Sequence, residues 1–231
     1  MKYFLEACCT SVEDVLLAVA GGAGRIELCE DLSCGGVTPS LDLIRAVKRV
    51  APIPVNVLVR PALPSVRPGL PFNDPSQYIY SVEEAALLLD EIAACREAGA
   101  DGIVAGCLKN ETSALNYSTL ANGFVDEDLL RKIINAAGPL PVTFHKAFDA
   151  CARPLEALES IISAGCKRVL TSGCASTAME GLPLLAELMH ASAGRITIMP
   201  GGSIRPSNIS GIFDSTHAVE FHASVSFFQQ A

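Results

Sequence analysis

The sequence has no tryptophan, and aromatic residues make up only 6 % of it, so a packed core must come from Leu, Ile, Val and Ala rather than from large rings. Positive charge is also short: 17 Lys and Arg stand against 25 Asp and Glu, a formal net charge of −8. That balance argues against sequence-independent binding to nucleic acid or to an anionic membrane surface. No apolar run approaches the roughly 18 residues of a membrane span. The opening MKYFLEACCT lacks an apolar stretch of signal-peptide length, so neither export nor a membrane partner is expected. There is no CxxC pair or other structural-zinc spacing, although nine cysteines are present. The odd number and the scatter of these cysteines indicate no disulfide framework, which points to free thiols in a reducing cytosol. No strand-like run opens into a GxGxxG loop, which removes the dinucleotide-binding fingerprint.

What is present is an alternation. Short β-rich runs occur near 3–8, 25–29, 54–60, 101–106, 140–146, 167–172, 195–200 and 218–222. Helical patterns lie between them at 11–20, 40–50, 81–98, 126–137, 153–164 and 175–192, and several stop at a Gly that feeds the next strand. Eight such units in 231 residues, about 29 each, fit a single-domain α/β fold of the (β/α)8 TIM-barrel kind, with an open doubly wound sheet as the alternative. Two irregularities stand out. The Pro-rich segment 61–80 follows the third strand, where barrels carry active-site loops, and reads either as a lid or as a disordered insertion. Only nine residues follow His222, too few for a normal eighth helix, so that part of the outer wall is expected to be covered otherwise or left open.

Strand alternation sorts the faces. If Leu5, Ala7, Ile26, Leu28, Val55, Val57, Val59, Val142, Phe144, Val219 and Phe221 pack outward on the helices, the residues between them face the barrel interior. Those are Glu6, Cys8, Glu27, Cys29, Asn56, Arg60, His145, Glu220 and His222. A lone inward histidine is ordinarily a satisfied core residue. Here Glu6, Glu27, Arg60, His145 and His222 gather near the carboxyl ends of their strands, where such barrels place their chemistry, and they form a candidate catalytic cluster. Buried carboxylates and an arginine need partners, whether one another, water or a ligand. Cys8 and Cys29 end neighbouring strands on the same inward face; two adjacent thiolates form a soft site suited to Cu(I), while the alternative is that both are small core hydrophobes. Gly201 and Gly202, in IMPGGSIRPSN, end the seventh strand where phosphate commonly binds in barrels, and are candidate anion-binding positions.

The stretches LEACCTSVEDVLLAVAGGAGRIELC, GGVTPS, ADGIVAGCL, PLPVTFHKAFD, RVLTSG, IMPGG and EFHAS, in this order, resemble the CutC family of copper homeostasis proteins from about residue 3 to 224. The resemblance implies a TIM barrel, a homo-oligomer, a cytosolic setting (or nuclear in a eukaryote) and Cu(I) as the ligand. The family's proposed copper cysteines match Cys8 and Cys29. Departures are visible: Ala62 and the long insertion follow Arg60-Pro61 where the family usually reads RPR, Lys146 replaces a usual Arg, and Cys174 and Ser203 replace common glycines. Family members also continue well past the EFH strand, which makes this chain either a truncated product or a shortened member. Two functions follow as expectations: Cu(I) binding by Cys8 and Cys29, or an enzyme that uses Glu27 and His145 for proton transfer on a small anionic or phosphorylated substrate held by Arg60 and the Gly201-Gly202 turn.

Overall fold

The computed structural model describes residues 3–66, 68–71, 73–110 and 123–229. The strands in chain order are β1 (Phe4–Cys9), β2 (Arg25–Leu28), β3 (Val55–Leu58), β4 (Gly102–Ala105), β5 (Leu108–Asn110), β6 (Gly123–Val125), β7 (Val142–Phe144), β8 (Arg168–Thr171), β9 (Thr197–Pro200) and β10 (Glu220–Ser224). Between them run α1 (Val12–Ala20), α2 (Leu41–Val50), α3 (Val82–Glu97), α4 (Glu127–Ala137), α5 (Pro154–Ala164), α6 (Leu182–Ser192) and α7 (Ile209–Thr216). Eight parallel strands pair in the order β10-β1-β2-β3-β4-β7-β8-β9, and a parallel bridge between Gly201 and His222 joins the two ends of that sheet. The result is the expected (β/α)8 barrel. No helix among the described residues is long and apolar enough to cross a membrane.

Local chemistry sets the element ends. Ser11, Ser40 and Asp126 accept the backbone N–H groups of Asp14, Leu43 and Leu129, and Ser81 forms a full capping box with Glu84 at the start of α3. The outward set packs as expected: Ala7, Ile26, Val57, Phe144 and Phe221 are fully buried against the inner helix faces. Asn56, Thr143 and Thr171 are buried among the strands.

Two expectations change. The helix read from 175 begins at Leu182, because Gly181 lies so close to the turn after β8 that an added Cβ would sit 1.8 Å from the carbonyl oxygen of Ser172. Residues 175–181 therefore follow the turn instead of coiling. Val219, expected to pack on a helix, is 57 % exposed because it precedes the start of β10 at Glu220, whereas Phe221, two residues on, is fully buried. In place of an eighth helix, a short 3-10 turn (Val225–Phe227) follows β10 and buries Phe227 and Phe228 against α1 and β1. The Pro-rich segment, apart from residues 67 and 72, is described, and its turn Pro75–Tyr78 lies over the barrel mouth with Gln77 and Tyr78 buried. The β5–β6 hairpin was not read from the sequence.

Candidate functional site

Parallel register assembles the site. Glu6 on β1 stands level with Arg25 on β2 and with His222 on β10, and one step up Cys8 stands level with Glu27. Because alternate residues share a face, Glu6, Cys8, Arg25, Glu27 and His222 all point into the barrel, with Cys29 just beyond the end of β2.

The lower layer is a closed ion-pair network. Arg25 donates through Nε to Glu6 and through Nη2 to Glu220 at 2.8 Å, and Arg168 Nε reaches the same Glu220 oxygen at 2.7 Å. Glu6 also accepts from His222 Nδ1 at 2.9 Å. Burial alone would push the Glu6 carboxyl up, but His222 and Arg25 outweigh it and hold the group well below the usual carboxylate range. Burial likewise opposes charge on His222, yet Glu27, Cys8 and Glu6 together raise it well above its ordinary value. Glu27 goes the other way: burial, with Glu6 adding repulsion, pushes its carboxyl up against the pull of His222 and Arg25.

Above this network is a cavity of about 200 Å³ lined by Cys8, Glu27, Cys29, Arg60, Tyr78, His145, Lys146 and His222, with Leu32, Gly35, Leu58 and Leu170 as its apolar wall. Four of the five expected catalytic residues therefore share it, and Glu6 lies beneath as the support of His222. The Cys8 and Cys29 sulfurs are 3.8 Å apart. Their hydrogen bond, with burial, pushes the Cys8 thiol well up, and His222 only partly offsets this. Twice a metal–sulfur bond of about 2.3 Å exceeds the separation, so one soft ion reaches both sulfurs. The residues fit Cu(I).

Arg60 is held as a cation without a carboxylate among its described partners. Its Nη1 donates to the carbonyls of Cys34 and Gly36, both at 2.9 Å, its Nη2 donates to Gln77 Oε1 at 2.7 Å, and its plane lies over the Tyr78 ring. His145 accepts the N–H of Ala147 at Nδ1, which puts its proton on Nε2. Burial, helped by the Arg60 charge, lowers its pKa to about 3. Three buried polar atoms around this cavity lack a protein hydrogen bond: Glu27 Oε2, which has His222 Nδ1 at 4.0 Å, His145 Nε2 and Arg60 Nε.

Sequence reasoning missed several members. Arg25 has the same parity as Glu27, so the signal was present; Gln77, Tyr78 and Asp149 come from 3-10 turns that alternation does not index. Asp149 is buried and accepts from Ser172 N and Oγ, from Cys174 N and from Thr171 Oγ1, with Lys146 Nζ at 3.3 Å. Gly201 and Gly202 do not line the cavity, and the Gly201 N–H donates to Thr171 O within the barrel ladder. Lys146 Nζ lies 3.5 Å from where a Gly202 Cβ would stand.

Comparison with known proteins follows the same outline. The CutC family profile matches residues 3–227. A mouse protein named "Copper homeostasis protein cutC homolog" is 40 % identical over 222 residues, covering 96 % of this chain and 73 % of its own. A CutC family protein from Parabacteroides distasonis is 41 % identical over 225 residues, covering 97 % and 83 %. The crystal structure of a putative copper homeostasis protein CutC from Streptococcus agalactiae superposes with a TM-score of 0.81 at 23 % identity, over 96 % of this chain and 98 % of that one. A putative deoxyribose-phosphate aldolase from Coccidioides immitis shares the barrel alone, with a TM-score of 0.60 at 14 % identity over 99 % and 84 % of the two chains. By sequence along nearly its whole length, this chain belongs to the CutC family.

Proposed function

We propose that this protein takes part in copper homeostasis by binding Cu(I) between the thiolates of Cys8 and Cys29, in a cytoplasmic homo-oligomer. The observation that supports it is the 3.8 Å separation of two free sulfurs at the mouth of the barrel. Soft, singly charged copper prefers thiolate sulfur to carboxylate oxygen and needs few ligands. The mammalian relatives' names point the same way. Competition of the fully reduced protein against a calibrated Cu(I) chelator tests the reading: the native chain is expected to retain one tight equivalent, and Cys8→Ser/Cys29→Ser to lose it. Equal retention by both proteins would remove the site.

A second reading, an enzyme acting on a small anionic substrate, draws on the same cavity. Arg60 and Lys146 provide positive charge, and Glu27 Oε2 and His145 Nε2 are buried polar atoms without a protein hydrogen bond. With the Gly201 N–H committed to the ladder, the anion would rest on these side chains and on Gly202. Thermal unfolding in inorganic phosphate discriminates: stabilisation lost in Arg60→Ala favours this reading, and stabilisation equal in both proteins, or none, rejects it.

A further inference from the structure

Cys8 has a second set of neighbours. Its Sγ, a Glu27 carboxylate oxygen and a His222 ring nitrogen all lie within 4.8 Å of one another. This triad differs from the sulfur pair in chemistry, because it offers one sulfur, one oxygen and one nitrogen.

Two further observations mark it as a ligand site rather than a chance cluster. Glu27 Oε2 has no hydrogen-bond partner although the side chain is only 7 % exposed, and this carboxylate lines the cavity. The cation that faces it there is His222, whose Nδ1 is 4.0 Å away and bonded to Glu6, so the oxygen holds no hydrogen bond and its lone pairs stay available to a metal ion. His222 is also prepared as a ligand. Glu6 accepts from its Nδ1 at 2.9 Å and is itself tied to Arg25, so the ring is fixed from behind and Nε2 is the nitrogen that a metal would take in exchange for a proton. A carboxylate behind a histidine is how metal-binding imidazoles are commonly oriented.

We propose that Cys8, Glu27 and His222 bind a borderline divalent cation of the zinc class, with its fourth coordination position open toward the cavity that Arg60 and His145 line. Thiolate, imidazole and carboxylate together suit Zn²⁺; the hard cations Ca²⁺ and Mg²⁺ prefer oxygen alone, and Cu(I) prefers the two sulfurs. Three protein ligands with one open position is the arrangement of zinc sites that act on substrates. On binding, the Cys8 thiol proton leaves to solvent, together with any proton on His222 Nε2 and on the Glu27 carboxyl. The proposal shares Cys8 with the copper reading but needs neither Cys29 nor copper, so the two can fail separately.

The test uses the full chain, reduced and metal-free, with Zn²⁺ in competition with a chromophoric chelator and Co²⁺ as a spectroscopic probe. One tight equivalent of Zn²⁺ is expected, and Co²⁺ should give intense tetrahedral bands with a sulfur-to-cobalt charge-transfer band. Glu27→Gln should weaken Zn²⁺ by more than about tenfold and leave Cu(I) retention intact, Cys29→Ser should do the reverse, and Glu6→Gln should weaken Zn²⁺ by about 10–100-fold through the loosened ring. Glu27→Gln is isosteric, so it keeps the shape of the site while removing the charge that faces His222, and its contrast between Zn²⁺ and Cu(I) decides the matter even if Glu6→Gln does not. Absence of stoichiometric Zn²⁺ binding, affinity unchanged in Glu27→Gln, or a cobalt spectrum without sulfur charge transfer would each overturn the proposal.

Discussion

His145 is the residue whose role changes most between sequence and structure. Parity turned it inward correctly, but its environment comes from residues that parity does not reach: the Arg60 guanidinium, the Tyr78 ring 5.2 Å away and the N–H of Ala147. Its pKa of about 3 lies below the ordinary 6.5, so the unfolded chain takes up the proton first. The stability this neutral ring confers is complete above about pH 6.5 and is lost as pH falls toward 3. At about pH 5 the loss is about 2 kcal/mol, and a His145→Gln variant should show a correspondingly flatter stability profile between about pH 7 and 5 in urea titrations. Parallel profiles for the two proteins would mean that the ring is solvated in solution. Cys174 and Ser203 have φ of 55° and 57°, the left-handed region that favours glycine, so both side chains stand there at some backbone strain.

At the scale of elements, the legible part of the fold was the part with a period. Alternation in β1, β2 and β10 placed Glu6, Cys8, Glu27 and His222 on one face, because a strand with apolar outward residues has no other solution. The pieces β5 and β6 are three residues each, too short to show a period, and the late start of α6 depends on a contact between Gly181 and Ser172 that joins distant turns. Asp149 was similarly hidden. It belongs to the turn Lys146–Ala150 after β7 yet satisfies donors after β8, binding two successive mouth loops together and setting the position of Lys146. Asp149→Ala orphans several buried donors and is expected to cost about 3–5 kcal/mol in urea unfolding, while Asp149→Asn, which keeps an acceptor, should cost less. An unchanged midpoint in Asp149→Ala would show that these loops hold without it.

Across the whole molecule, the two proposed metal sites lie on different seams of one barrel. The sulfur pair spans β1 and β2, which are fully laddered, whereas the Cys8, Glu27 and His222 set also needs β10 to hold its place beside β1. β10 leads into Phe227 and Phe228, which are buried and packed so closely on α1 that a Cβ at Gly21 would lie 2.7 Å from Phe228 Cβ. On its other side the described pairing to the β9 end is the single bridge from Gly201 to His222. Phe228→Ala should therefore cost about 3–5 kcal/mol of stability, and its effect should be local first. Hydrogen exchange of 220–224 is expected to rise ahead of that in β2 and β3, and Zn²⁺ affinity to fall more than Cu(I) affinity, since only the former depends on His222. If exchange instead rose equally in every strand, the barrel would open as one unit and both metals would weaken together.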